Sequence, residues 1–257
     1  MLERNELMRL RESKLAVLTA RHGVAYPNDF KPTHTGAELL KFLLPTLEQV
    51  SPTREPTDSL WRMAGRVIAV NRKGKVAFVR IQDRSAVEVV GLRSQGDDLR
   101  VQAGMEPRNN TAPTFQFFFR RNEDEALFDR LFKSHDEDGV ETPPLLDVGD
   151  IVGVTGRPFR TRTGEPSLWA CTTTAEGAPL PGGGGACLRV LTKALRPLPE
   201  KFHGLSDKET RFRQRYVDLI VNDTARAIFH TRAAVIRGFR RWFDARDYIE
   251  VETPLMH

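Results

Sequence analysis

Apolar positions at the start of the chain recur with helical spacing. Leu7, Leu10, Val17 and Leu18 lie among charged residues as one face of a helix over 2–22, and Gly23 is placed to end it. Tyr26 and Pro27 then force an extended exit. Thr35-Gly36-Ala37-Glu38 is a capping-box pattern that opens a short helix through Leu39, Leu40, Phe42 and Leu43, and Pro45 and Pro52 mark a linker. Neither helix gathers basic residues on one face, so both are expected to pack on the next domain rather than to grip RNA as a basic arm.

From Leu60 the period shortens to two. Residues 61–70, 75–83 and 87–92 read as strands separated by Gly74 and by the turn Arg84-Ser85-Ala86; 151–159 and 167–172, joined at Thr163-Gly164, give two more. Five short strands with uneven loops predict a mainly β fold with α, built on a five-stranded Greek-key barrel of the OB type. Two insertions are expected in it. The first, 93–147, holds a capping-box start at Asn122-Glu123-Asp124-Glu125, with Ala126, Leu127, Phe128, Leu131 and Phe132 at helical spacing. It also holds Thr114-Phe115-Gln116-Phe117-Phe118-Phe119, a β-prone run that must be buried or else mark an artefact of the gene model. The second, 173–187, contains Pro181-Gly182-Gly183-Gly184-Gly185. A glycine run cradles phosphate when a helix N-terminus follows; here the strand-like Leu188-Arg189-Val190-Leu191 follows, which predicts a flexible loop.

Beyond Leu191 the spacing is helical again. Ser206-Asp207-Lys208-Glu209 is a third capping box, opening a helix that carries Phe212, Tyr216, Leu219 and Ile220 toward a core. A longer helix over 223–245 has Ile228, Ala234, Val235, Phe239 and Phe243 along its apolar stripe, and 248–251 reads as a short strand stopped by Pro254.

Composition narrows the function less than the pattern does. A chain of 257 residues with 40% hydrophobic residues can bury the core of one large or two ordinary domains. Its net charge of +5 favours polyanionic partners without requiring one. The charged start Met1-Leu2-Glu3-Arg4-Asn5-Glu6 is not a secretory signal, and no apolar run is long enough for a membrane span. Cys171 and Cys187 lack the spacing of a metal-ligand pair and are expected to be free thiols; the histidines are scattered, so no metal site is expected.

One strand offers chemistry. In Ala77-Phe78-Val79-Arg80-Ile81-Gln82, alternation puts Val79 and Ile81 on one face and Phe78, Arg80 and Gln82 on the other. With the aliphatic pair in the core, Phe78 stands beside a cation, an arrangement that stacks an unpaired base and holds its phosphates. Packing of Phe78 beneath the inserted helix is the alternative that periodicity leaves open.

Three segments resemble one family. Leu191-Thr192-Lys193-Ala194-Leu195-Arg196-Pro197-Leu198-Pro199-Glu200-Lys201, then Arg213-Gln214-Arg215-Tyr216-Val217-Asp218-Leu219-Ile220-Val221-Asn222, then Tyr248-Ile249-Glu250-Val251-Glu252-Thr253-Pro254-Leu255-Met256 resemble the lysyl-tRNA synthetases, class II enzymes with an N-terminal anticodon-binding barrel. The resemblance implies a helical leader and linker over 1–59, an OB-fold over 60–192 that binds the anticodon stem-loop of tRNA(Lys), and the opening of a class II catalytic domain over 193–257. In this family an aromatic stacks on the central anticodon base, flanked by an arginine on the preceding strand and a glutamine on the next. Phe78 matches the aromatic; an ungapped alignment puts Asn71 at the arginine, and a short gap puts Glu88 at the glutamine. An ionised glutamate only accepts hydrogen bonds and repels phosphate, and Arg72 and Lys73 are expected to compensate for the arginine. Glu165 matches a barrel glutamate near the anticodon; Arg66, Lys75 and Arg80 complete the expected surface.

The last helix and strand resemble the first class II motif, which implies a homodimer with Phe239, Phe243, Val251 and Pro254 at its interface and a left-handed turn at Asp247, where the family has glycine. The resemblance further implies lysine–tRNA ligation in the cytoplasm, with ATP and Mg2+ bound by two later motifs of the intact enzyme. Residues 1–257 stop before those motifs, so this segment is expected to carry no catalytic residue, to bind neither cofactor and to be inactive alone. Two other readings remain: a free-standing RNA-binding or regulatory module descended from a synthetase, and an aspartyl or asparaginyl relative.

Overall fold

The computed structural model describes residues 4–43, 59–102, 113–133, 143–161, 164–171, 187–199, 205 and 207–253. The chain divides into two compact units, Met1–Pro197 and Leu198–His257. The expectations for Pro45, Pro52, Thr163, the glycine run, Ser206 and Pro254 lie outside the described residues.

The first unit opens with α1 (Arg4–His22). Gly23 ends it as expected, at φ +74°, with its N–H donating to the Thr19 carbonyl at 2.8 Å. The inward face differs from the sequence reading: Lys14 and Leu18 are buried, four residues apart, while Val17, one residue and about 100° away, is 52% exposed. In α2 (Gly36–Leu43) the capping box forms, the Thr35 N–H donating to Glu38 Oε2 at 2.7 Å and the Glu38 N–H to Thr35 Oγ1 at 3.3 Å. Its next two N–H groups are satisfied from far along the chain, Gly36 donating to Asp83 Oδ2 at 2.7 Å and Ala37 to Ser85 Oγ at 2.9 Å.

The sheet follows: β1 (Trp61–Lys73), β2 (Val76–Gln82), α3 (Ala86–Gln102), β3 (Phe115–Arg120), α4 (Glu125–Phe132), β4 (Ile151–Arg160), β5 (Pro166–Ala170) and β6 (Leu188–Thr192). Among the described residues it has six strands, one more than expected, in the order β1-β2-β3-β5-β4-β6, and β1 also pairs with β4. The long β1 bonds to β4 through Trp61–Arg66 and to β2 through Arg66–Lys73, so the pairing runs in a closed circuit. Only β3 and β5 run parallel.

Two sequence expectations fail together. Residues 87–92 are helix, not strand: Ala86, Val89, Leu92 and Arg93 form the buried face at helical spacing, while Val87 is 41% exposed. The third strand is instead Phe115–Arg120, inside the segment read as an insertion. Phe115, Phe117 and Phe119 point into the core at 1%, 0% and 0% exposure, each burial contributing about 1.5–3 kcal/mol. Thus the β-prone run is buried, as it had to be. Helix α4 starts at Asp124, whose carboxylate accepts the Leu127 N–H at 2.9 Å, not at Asn122. Its buried Leu127, Phe128, Leu131 and Phe132 are those expected. Cys171 and Cys187 are free and buried, and both meet Thr155 of β4, whose carbonyl accepts the Cys171 N–H at 3.3 Å and whose N–H donates to the Cys187 carbonyl at 2.8 Å. Burial pushes the Cys187 thiol well above its usual range.

The first part of the family-like run is sealed into this unit. Lys193 has a fully buried side chain and donates to the Leu145 carbonyl and to Asp150 Oδ2, each at 2.7 Å, and also to Asp147. Lys14 of α1 donates to Asp147 at 2.8 Å, and Arg11 donates to the Ala194 carbonyl at 2.7 Å, so leader helix and outgoing chain share one charged hub. Burial pushes the Asp147 carboxyl up, but hydrogen bonds from Lys14 and Lys193 outweigh it and hold the carboxyl below its usual value. Its stabilising contribution is therefore complete above the unfolded carboxylate range, about pH 4, and lost as pH falls through the lowered folded value. Urea titrations between pH 2 and 6 should show an acid limb of stability loss that Asp147→Asn flattens.

In the second unit the single helix expected to carry Phe212, Tyr216, Leu219 and Ile220 is two short ones, α5 (Lys208–Arg213) and α6 (Arg215–Val221), meeting at Gln214. Phe212 and Tyr216 are each 62% exposed rather than in a core. The buried group is Asp218, which accepts from Arg211 Nε at 3.1 Å, from Asn222 at 3.2 Å and from Arg215. Helix α7 (Asp223–Asp244) matches its expected span. Asp247 then takes φ +62°, the left-handed turn foreseen there. The strand expected over 248–251 does not form among the described residues: the segment has no ladder partner, and Ile249 and Val251 are 86% and 70% exposed.

Candidate nucleic-acid interface

Strand β2 alternates as its sequence predicts. Ala77, Val79 and Ile81 are fully buried; Phe78 and Gln82 are half-buried and Arg80 is exposed on the opposite face. Register then lines up one row across that face: Asn71 on β1 opposite Phe78, Phe78 opposite Phe118 on β3, Phe118 beside Trp169 on β5, and Trp169 opposite Arg157 on β4. Ring centroids lie 5.1 Å apart for Phe78 and Phe118 and 5.2 Å for Phe118 and Trp169. Phe78 therefore packs on the sheet's own aromatics, not beneath an inserted helix, and forms the open end of an aromatic row. The adjacent row carries Arg80, Gln116 and Ser167 in register, with Gln116 Nε2 donating to Ser167 Oγ at 2.9 Å.

The structure sorts the expected residues. Asn71 is brought directly beside Phe78, and Lys75 sits exposed in the β1–β2 turn, where Gly74 has φ +59°. Glu165 lies just before β5, where it accepts from Arg93 at 2.8 Å, and its carbonyl accepts from Ser167 at 3.2 Å. Glu88 does not belong to the site: it is on α3, exposed, and paired with Lys41 at 2.5 Å. The strand after β2 carries its own glutamine, Gln116, on the same face and diagonal to Phe78; the sequence reading misses it by placing that strand at 87–92. Reading the phenylalanine-rich run as the third strand would have found it. Arg66 and Arg72 are also elsewhere engaged, donating to the carbonyls of Gly149 at 2.8 Å and Phe132 at 3.0 Å. Arg72 faces away from Phe78, so it does not replace the missing arginine; exposed Lys73 shares the Phe78 face.

Such a surface can stack one base on Phe78, offer a donor and an acceptor from Gln116 to the base edge, and attract phosphate through Arg80 and Lys73. In the second unit Phe239, Phe243 and Val251 are 63%, 44% and 70% exposed, the first two beside a groove of about 610 Å3 that also involves Ile236, Tyr248 and Ile249. Among the described residues no three His, Cys, Asp or Glu side chains are grouped to hold a metal ion, and no helix is long and apolar enough to cross a membrane.

Residues 207–257 match the family model of class II tRNA synthetases (D, K and N). Over 257 residues the chain is 38% identical to a lysine–tRNA ligase of Xylella fastidiosa (strain M23), covering 99% of this chain and 40% of that protein. The same figures hold for the lysine–tRNA ligase of Xanthomonas campestris pv. campestris (strain 8004); that of Anaeromyxobacter sp. (strain K) is 37% identical over 253 residues, 98% of this chain and 38% of that protein. The chain spans about 40% of the length of the curated relatives it matches first. The chain is thus similar over nearly its whole length to part of the lysine–tRNA ligases, and in residues 207–257 to the class II tRNA synthetases (D, K and N).

Proposed function

We propose that residues 1–257 are the anticodon-binding part of a lysine–tRNA ligase together with the opening of its class II catalytic domain. The closed circuit of strands is read as an OB-type barrel over 60–192, the leader as 1–59 and the catalytic opening as 193–257. The observation that carries the reading is Gln116 beside Phe78 on the next strand, the pair needed to stack a base and read its edge. The intact cytoplasmic enzyme would activate lysine with ATP and Mg2+ and esterify it to tRNA(Lys). This segment supplies the tRNA grip. Asn71 beside Phe78 is short and neutral, so phosphate attraction at that edge falls to Lys73, Lys75 and Arg80.

Titration of a lysine anticodon stem-loop by fluorescence anisotropy tests the assignment. Gln116→Leu removes both polar functions of the side chain and should weaken binding to that loop about 5- to 30-fold, against little change for a loop of scrambled sequence. Glu88→Gln should change neither, because Glu88 is not on this face. Equal losses on both loops would remove the edge-reading role.

The exposed face of α7, with Phe239 and Phe243, and the segment after it, with Val251, are proposed as the homodimer surface, to which the resemblance also assigns Pro254. Its apolar side chains have no cover within the described second unit. Light scattering over a concentration series should show self-association that Phe239→Asp weakens; a monomer throughout would contradict the proposal.

A further inference from the structure

Arg120 and Arg121 are neighbours with opposite fates. Arg121 is neutralised, donating to both oxygens of Asp129 at 2.8 and 2.7 Å and pairing with Glu125 at 2.5 Å. Arg120 points to the Phe78 face. Its guanidinium lies 4.0 Å over the Trp169 ring and 5.4 Å over Phe118, it is half-exposed, and it makes no ion pair among the described residues. Register places Lys73 in its row through Val76, and Arg157 stands opposite Trp169 with its Nε buried and without an acceptor. At the Trp169 end of the aromatic row the positive charge is that of Arg120 and Arg157, with Lys73 two strands away on β1.

We infer that Arg120, seated on Trp169, forms a second nucleotide subsite that takes the residue next to the base stacked on Phe78. The inference rests on the RNA-binding reading above and extends it. Phe78 and Trp169 lie two strands apart, roughly 10 Å at the usual strand spacing, which leaves room for a neighbouring nucleotide rather than the same one. A guanidinium held flat by an indole keeps one face open for a base and its N–H edge open for phosphate; the ordering of the side chain is already complete before RNA arrives. A clamp that merely sealed the aromatic row would serve as well with its charge removed, and that difference is measurable.

The lysine anticodon stem-loop is titrated against the full chain, Arg120→Met, Arg120→Lys and Phe78→Ala at several salt concentrations. Stem-loops carrying an abasic residue at each anticodon position in turn are titrated in parallel. Arg120→Met should weaken binding about 5- to 30-fold and lower the slope of log K against log salt by about one. An abasic residue beside the base held by Phe78 should cost affinity in the parent chain but not in Arg120→Met. Arg120→Lys should keep the salt slope and lose that abasic sensitivity; it gives the same reading if Arg120→Met lowers the melting temperature. Affinity and slope unchanged in both Arg120 variants, with Phe78→Ala still weakening binding, would overturn the subsite and leave the anticodon reading standing. No binding by the parent chain, or no loss from Phe78→Ala, would overturn both.

Discussion

Asp150→Ala should destabilise the first unit by about 3–5 kcal/mol, because it leaves a buried ammonium short of a counter-charge. Lys193 and Asp150 both have fully buried side chains, so water cannot replace the lost oxygen. The same carboxylate also accepts the Ala194 N–H at 2.8 Å and the Asp147 N–H at 2.9 Å, two more bonds the substitution removes. Urea unfolding followed by far-ultraviolet circular dichroism reads the change. The double variant Asp150→Ala, Lys193→Met should recover part of the loss, since removing both charges avoids the unpaired one. A loss below about 1 kcal/mol for Asp150→Ala would show that the hub is more open to water than its burial implies.

Phe78→Ala should weaken binding of the lysine anticodon stem-loop about 5- to 150-fold, the value of stacking one base. The ring is half-buried against Phe118, so part of the residue packs and part is free to stack. The two roles separate by measurement. Packing loss lowers the melting temperature and affects every ligand alike, whereas stacking loss appears as affinity at unchanged salt slope, because no phosphate contact is removed. Arg80→Ala should do the reverse, lowering the slope by about one with less selectivity between loops.

Local signals in the sequence were legible. The Thr35–Glu38 box, the stop at Gly23, the span of α7, the turn at Asp247 and the alternation of β2 all form as read, since each depends on a few neighbouring residues. The misses need tertiary information. Val87, Val89 and Val90 suit a strand or a helix, and what decides is a start at Asp83 and Ser85, whose side chains also cap α2. Once that segment is helical, the third strand moves to Phe115–Arg120 and Gln116 replaces Glu88 in the candidate site. Arg66 and Arg72 looked like RNA-facing cations because sequence does not show that carbonyls of Gly149 and Phe132 take them. Asn122 and Asp124 are both capping residue types, and it is Asp124 whose carbonyl accepts the first intrahelical N–H, that of Phe128, and whose carboxylate accepts that of Leu127.

The central claim is that the outer face of β1, β2 and β3 holds the anticodon. Photo-crosslinking tests it most directly, using lysine anticodon stem-loops with 4-thiouridine at single anticodon positions and mass spectrometry to locate the adducts. Adducts should fall in peptides containing Val76–Gln82 and Phe115–Arg120, and unlabelled lysine stem-loop should compete them away better than a scrambled one. Adducts confined to α1 or to the second unit, or indifferent to loop sequence, would contradict the account.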